Sequence, residues 1–168
     1  MVKITLKGNP IHTNGNLPAI GTKAPDFQLV DTDLNNRSLK DFKDKRKMIY
    51  TVPSLDTSVC STSTKKFNDQ IKSHPEVIVL VVSTDLPFAQ KRICSQEKIA
   101  NIIPLSMMRS NHFAKAYGVL IEDGPLAGIC ARAVIVLDEN DHVIYTEQVP
   151  EIAQEPNYDN ALQALFRL

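Results

Sequence analysis

The chain has no surplus of either charge. Its 168 residues hold 19 Lys plus Arg against 19 Asp plus Glu, with a pI near 6.9. No sequence-wide field exists to draw in nucleic acid or an anionic bilayer, which argues against both as partners. A long apolar run is missing too. The longest aliphatic stretch, Val77 to Val82, falls far short of the ~20 residues that span a membrane, and Met1 to Lys7 alternates apolar and polar residues where a signal peptide would have an apolar core. These absences point to a soluble cytoplasmic protein. The three cysteines are an odd number and too sparse for a secreted disulfide scaffold, leaving catalytic, redox or plain buried roles. The four histidines show no i, i+3 or i, i+4 pairing, so metal binding lacks support. No glycine-rich phosphate loop, Cys-x-x-Cys pair or internal repeat is present, and no cofactor is called for.

The elements that are present describe one α/β domain over residues 1–168. Residues 2–7 and 11–13 flank Gly8-Asn9-Pro10 as an N-terminal hairpin, an extension over residues 1–15. A short strand is expected at Phe27–Asp31, a turn at Asn35-Asn36, a brief helical turn capped by Ser38, and a core strand from Arg46 to Val52. Ser61 to Ile71 lacks Pro and Gly and reads as a helix with Phe67 and Ile71 on its buried face. Val77–Val82 is a β-branched run suited to a strand buried on both faces. Ser83-Thr84-Asp85 is placed to cap a helix from Pro87 to about Lys98. Further on, Ile102–Ser106 and Ala133–Leu137 read as strands, Asn111–Tyr117 as a helix stopped by Gly118, His142–Val149 as a hairpin partner, and Asn157–Leu168 as a terminal helix. The result is a mixed sheet covered by helices.

One stretch stands out for chemistry. Pro53-Ser-Leu-Asp-Thr57-Ser-Val-Cys60 joins a strand to a helix: Pro53 stops the strand and the Asp56-Thr57-Ser58 run is suited to capping the helix. Cys60 then sits in or near the first turn, where unpaired amides favour an anion. A free cysteine, with pKa about 8.5, is only a few per cent thiolate at neutrality, and helix N-termini and nearby cations can bring such a thiol to about 3.5–7.5. The alternative, a small core hydrophobe, fits poorly with the polar residues on either side of Cys60. Cys94 shares its helix with core-facing Ile93 and taken alone is either buried structure or a second redox group. Cys130 has aliphatic neighbours and reads as inert, unless an early start of the following strand places it on the same face as Arg132. Arg132 lies among Ala131, Ala133, Val134, Ile135 and Val136, where a guanidinium is costly unless it meets an anion: a carboxylate, or a thiolate. A Cys-His hydrolase gains nothing from the setting of any histidine. A disulfide oxidoreductase and a non-catalytic interaction protein remain as rivals.

The Pro53–Cys60 stretch resembles the active-site motif of the peroxiredoxins, specifically the bacterial thiol peroxidases of the atypical two-cysteine type. The likeness continues through Ser83–Gln90, Arg92-Ile-Cys94, Ala116–Val119, Asp123–Leu126, Ala131–Val134 and Glu155–Asp159, so it covers essentially the whole chain. It implies a thioredoxin-like fold with an N-terminal hairpin extension. It also implies Cys60 as the peroxidatic cysteine, Cys94 as the resolving one in the same chain, and Arg132, the Thr57 hydroxyl and Pro53 as the groups around the reacting sulfur. Hydrogen peroxide or an organic hydroperoxide is the implied substrate, thioredoxin the implied reductant, and a homodimer the implied assembly. Cys130 has no counterpart in that scheme.

Overall fold

The architecture follows from a strand core that is apolar on both faces. In the structure, a computed structural model that describes residues 1–167, Arg46–Thr51 (β5) and Val77–Ser83 (β6) run in parallel at the middle of a seven-stranded sheet. Ile103–Ser106 (β7) is parallel to β6 on one side, and Ala133–Leu137 (β8) is antiparallel to β5 on the other. Val143–Gln148 (β9) forms one edge beside β8, and the two-residue strands Leu29–Val30 (β3) and Asn36–Arg37 (β4) form the other beyond β7. The expected turn at Asn35-Asn36 is therefore displaced: Leu34 takes a left-handed φ of 67° and the chain turns early enough for Asn36 to pair as a strand residue.

Side chains alternate along these strands, so each strand feeds two cores. Met48, Tyr50, Val79, Val81, Val134 and Val136 point to one side, where Ser58–Ile71 (α1) contributes Phe67 and Ile71 and Tyr158–Phe166 (α4) contributes Ala161 and Leu165. Pro87–Gln96 (α2) adds Ile93 and Cys94 to the same side. Ile49, Leu80, Val82, Ala133, Ile135 and Leu137 point the other way, toward Phe113 and Ala114 of His112–Ala116 (α3) and the aromatic rings of Phe27 and Phe42. This is the thioredoxin-like arrangement of helices over a mixed sheet. Lys47, wholly buried in β5, is paired with Asp141 in the β8–β9 turn.

α1 begins at Ser58 with Thr57 at its cap position, so Cys60 falls inside its first turn, as expected. One helix end departs from expectation. α2 stops at Gln96, because Lys98 turns left-handed with φ 58° and the Ile99 amide returns to the Cys94 carbonyl at 2.8 Å. The terminal helix starts where Asn157 accepts a hydrogen bond from the Asn160 amide; Leu168, to which it was expected to run, lies outside the described residues. No described helix is long and apolar enough to cross a membrane.

The N-terminal hairpin, Val2–Leu6 (β1) and Asn9–Thr13 (β2), forms as expected. Ile4 and Ile11 pack with Ile121, Ala131 and Ile152 in a third, smaller core. Polar latches fasten it further. The Glu151 carboxylate accepts from the Thr5 hydroxyl and from the Lys7 and Gly8 amides, and these bonds, Thr5 foremost, hold its pKa down to about 2. His12 Nδ1 lies 2.7 Å from Asp123, which also accepts from the His12 amide at 2.7 Å.

Gly118 ends α3 at φ +72°, and a Cβ built there would lie 2.0 Å from the Asn16 carbonyl oxygen, a backbone atom that has no easy retreat. Both the handedness and the contact require glycine. Gly118→Ala is expected to lower the unfolding free energy by at least about 2 kcal/mol, measured by urea denaturation; an unchanged midpoint would contradict the packing described for this corner.

Candidate active site

The Pro53–Cys60 segment leaves the sheet where β5 ends and is held from below by β6 and its following loop. The Val52 amide donates to the Val82 carbonyl at 3.0 Å, carrying the parallel pairing one residue past the strand. Asp85 then reaches across. Its carboxylate accepts from the Ser54 hydroxyl at 2.7 Å, the Leu55 amide at 2.8 Å and the Ser83 hydroxyl at 2.7 Å. The Ser83-Thr84-Asp85 run was expected to cap α2, but the cap residue there is Leu86, with no side-chain cap bond and Pro87 next to it. The carboxylate instead holds the loop that leads to Cys60.

Capping of α1 also differs from expectation. Thr57 occupies the cap position, yet its hydroxyl donates to the Ser54 carbonyl at 3.1 Å and makes no cap bond to the first-turn amides. Those amides keep their capacity to meet an anion. Cys60, third residue of the helix, lies among them with no exposed surface.

Arg132 meets the sulfur. It is 1% exposed, and Nη2 donates to Cys60 Sγ at 3.3 Å and to the Ile152 carbonyl at 2.9 Å. Nε donates to the same carbonyl at 3.1 Å, and Nη1 to the Tyr50 hydroxyl at 2.9 Å. Among the described residues no carboxylate pairs with it, so of the two partners considered for this buried cation the structure supplies the thiol. Burial works against its charge, but the facing Tyr50 and Cys60 outweigh that and raise its pKa. Burial pushes the Tyr50 phenol up to about 12, which keeps it a neutral donor at physiological pH. The Thr51 hydroxyl fixes the approach of the chain by donating to the Ala131 carbonyl at 2.8 Å.

Arg132 also lines a cavity of about 390 Å³. Pro53, Ser54, Thr57, Ser58 and Val59 form one wall, and Leu6 of the hairpin, Leu126, Ile129, Ile152 and Ala153 form the rest. The structure thus gathers four of the five expected residues: Pro53, Thr57 and Arg132 at the cavity, and Cys60 behind it in contact with Arg132. Cys94 does not line it. It sits on the inner face of α2, in the same core as Cys60, and burial pushes its thiol up to about 11. Cys130 belongs to the opposite core, with Sγ 3.7 Å from Met107 Sδ and its thiol pushed up to about 12 by burial. The early-strand alternative fails because β8 begins only at Ala133, and Cys130 and Arg132 project to different sides. All three thiols are free. Among the described residues no group of three or more His, Cys, Asp or Glu gathers where a metal could be held.

Sequence reasoning missed Asp85, Tyr50, Ser63 and the Ile152 carbonyl. One signal was readable: Ser63 falls on the buried face of α1 between Cys60 and Phe67, at helical spacing, where a hydroxyl needs a partner.

The Redoxin family profile matches residues 19–162. The chain belongs to the Redoxin family. Thiol peroxidases from two strains of Leptospira interrogans, serovars copenhageni and Lai, are each 52% identical over 166 residues, covering 98% of this chain and 97% of the relative. A crystal structure of a peroxiredoxin-like protein from Aquifex aeolicus superimposes with TM-score 0.92 at 45% identity, covering 98% of this chain and 96% of that one. A thiol peroxidase from Chromobacterium violaceum gives 0.91 at 26%, covering 99% and 97%. Within the Redoxin family the chain falls among the peroxiredoxins of thiol peroxidase type, and it is accordingly a peroxidase, an oxidoreductase dependent on thiols.

The raised pKa of Cys94 carries a sign that can be checked. Burial raises it to about 11, above the ~8.5 of a free cysteine, so the thiol is protonated through neutrality and its share of stability is fully present below pH ~8.5 and lost as pH rises through ~11. In a Cys60→Ser, Cys130→Ala protein, alkylation of Cys94 by iodoacetamide at pH 8 is expected to be far slower than in the urea-unfolded chain and to climb toward pH 11. Equal rates at pH 8 would contradict the burial of this thiol.

Proposed function

We propose that Cys60 is the peroxidatic cysteine of a thioredoxin-dependent peroxidase that reduces hydrogen peroxide and organic hydroperoxides, serving antioxidant defence in a bacterial cytoplasm. The observation that carries this reading is the 3.3 Å contact from Arg132 Nη2 to Cys60 Sγ, made in the first turn of a helix behind an open cavity. A guanidinium that never loses its proton, and amides without other partners, stabilise sulfur as an anion, the form that attacks.

In the reaction the Cys60 thiolate attacks the terminal oxygen of the hydroperoxide and the O–O bond breaks. Sulfur loses two electrons and becomes a sulfenic acid, and the other oxygen leaves with a proton as water or an alcohol. Negative charge moves from sulfur to the departing oxygen, so the donors must already face both positions; Arg132 and the Thr57 hydroxyl take that role. Thr57 would exchange its bond to the Ser54 carbonyl for one to the peroxide. Pro53 shields the sulfur from bulk water, which strengthens the local electrostatics. The cavity lining of Leu6, Leu126, Ile129 and Ile152 supports organic hydroperoxides, whose apolar portions those side chains would desolvate.

Cys94 then attacks the sulfenic sulfur, releasing water and forming an intramolecular disulfide. A thiol held protonated inside α2 is a poor nucleophile, and disulfide geometry requires Cα atoms within about 7 Å. The first turn of α1, the segment bearing Cys94, or both unwind locally in each cycle. Thioredoxin restores the dithiol through a mixed disulfide, and the enzyme works as a homodimer.

Cys60→Ser is expected to abolish peroxide turnover. Cys94→Ser should consume one equivalent of hydroperoxide and then stall unless a small thiol is supplied. Non-reducing peptide mapping after one equivalent should yield a Cys60–Cys94 cross-link. Equal loss in both variants, or a Cys60–Cys130 peptide, would overturn this division of roles.

A further inference from the structure

Beneath α1 lie two buried hydroxyls that the reaction above does not use. Tyr50 and Ser63 are each 0% exposed, and their oxygens stand 2.7 Å apart. The direction of that bond is fixed by counting protons. Ser63 has a single hydroxyl hydrogen, and Oγ donates it to the Val59 carbonyl at 2.7 Å, with the Cys60 carbonyl also within reach at 3.2 Å. Tyr50 must therefore be the donor to Ser63. The Tyr50 oxygen in turn accepts from Arg132 Nη1 at 2.9 Å, and a guanidinium can only donate. Every hydroxyl gives one hydrogen and receives one, in the order Arg132, Tyr50, Ser63, first-turn carbonyl. The same guanidinium touches Cys60 Sγ through Nη2 at 3.3 Å. The path thus leaves the sulfur of Cys60 through Arg132 and ends on the backbone of Val59 and Cys60, in the turn that carries that sulfur.

Hydrogen bonds in such a chain polarise one another in a dry interior. We propose that Tyr50 and Ser63 are positioning residues that link the charge on Cys60 to the winding of the first turn of α1. Rigid contact with the thiolate aims Arg132, and Arg132 holds the turn closed through the two hydroxyls. Once sulfur carries a neutral sulfenic acid, the guanidinium has no anion to face, its grip through Tyr50 slackens, and the turn is released for Cys94. The helix that must be wound for attack and unwound for resolution is switched by the reaction itself. This inference rests on the peroxidatic role proposed for Cys60.

The distinguishing prediction is that removing either hydroxyl moves the two chemical steps in opposite directions. Reduced protein is mixed with one equivalent of hydrogen peroxide or an alkyl hydroperoxide in quenched flow, and mass spectrometry follows the sulfenic acid and the disulfide separately. In Ser63→Ala, sulfenic acid formation is expected to slow by about threefold to tenfold, and its conversion to disulfide to accelerate by about the same factor, the scale of one net hydrogen bond. Tyr50→Phe, which keeps the ring and its packing, should split the steps in the same way. With excess peroxide both variants should accumulate less sulfinic acid, because the sulfenic acid is shorter-lived. If both steps slow together, or neither moves, in the two variants, the residues are plain structural supports and the proposal is overturned. Failure of the underlying reading looks different: wild-type protein would then form neither sulfenic acid nor disulfide.

Discussion

A guanidinium buried with no carboxylate partner among the described residues is the constraint around which this molecule is arranged. Arg132 is almost fully enclosed, and left unpartnered a charge in that position would cost several kcal/mol. Every donor direction used is met by something other than a carboxylate: the Ile152 carbonyl, the Tyr50 hydroxyl and the Cys60 sulfur. Burial holds the Tyr50 phenol near 12, so it meets the guanidinium as a neutral hydroxyl. The cost of placing the cation is offset by these three partners, one of them the sulfur to which the proposed cycle assigns the attack.

Each neighbouring element serves that contact. The hairpin, latched through Glu151 and His12, brings Leu6 to the cavity and braces the 150–153 segment whose Ile152 carbonyl orients the guanidinium. Thr51 pins the Ala131 carbonyl, and Asp85 holds the loop that delivers Cys60. The polar capping that would make α1 sturdy at its start is missing, because Thr57 turns its hydroxyl to Ser54. A weakly capped first turn suits both demands of the proposed cycle: free amides for an anion, and a low barrier to unwinding.

Much of this was legible beforehand. The β-branched run at Val77–Val82, the Pro53 stop and the lone Arg132 amid aliphatic residues each state their physics locally, as a strand buried on two faces, a strand end and a cation in need of a partner. What stayed hidden depends on contacts distant in sequence. Asp85 looked like a helix cap because its local context matches one, and only the fold brings Ser54 and Leu55 within its reach. The partner of Arg132 could have been a carboxylate or a thiolate until the packing of β8 against α1 was known. Cys130 could not be assigned a side of the sheet while the start of β8 was open, and periodicity turns Ser63 toward the core without saying that Tyr50 is the strand residue it meets there.

The central claim is that Arg132 supplies the electrostatics for attack by Cys60. Its most direct test is the second-order rate of Cys60 oxidation by a single equivalent of hydroperoxide in wild type, Arg132→Lys and Arg132→Met, with circular dichroism verifying the fold. Loss of a preorganised donor aimed at developing charge should slow Arg132→Met by about 100-fold or more. Arg132→Lys should fall between, keeping the charge without the fork that also reaches Tyr50 and Ile152. A folded Arg132→Met protein that reacts at the wild-type rate would contradict the account.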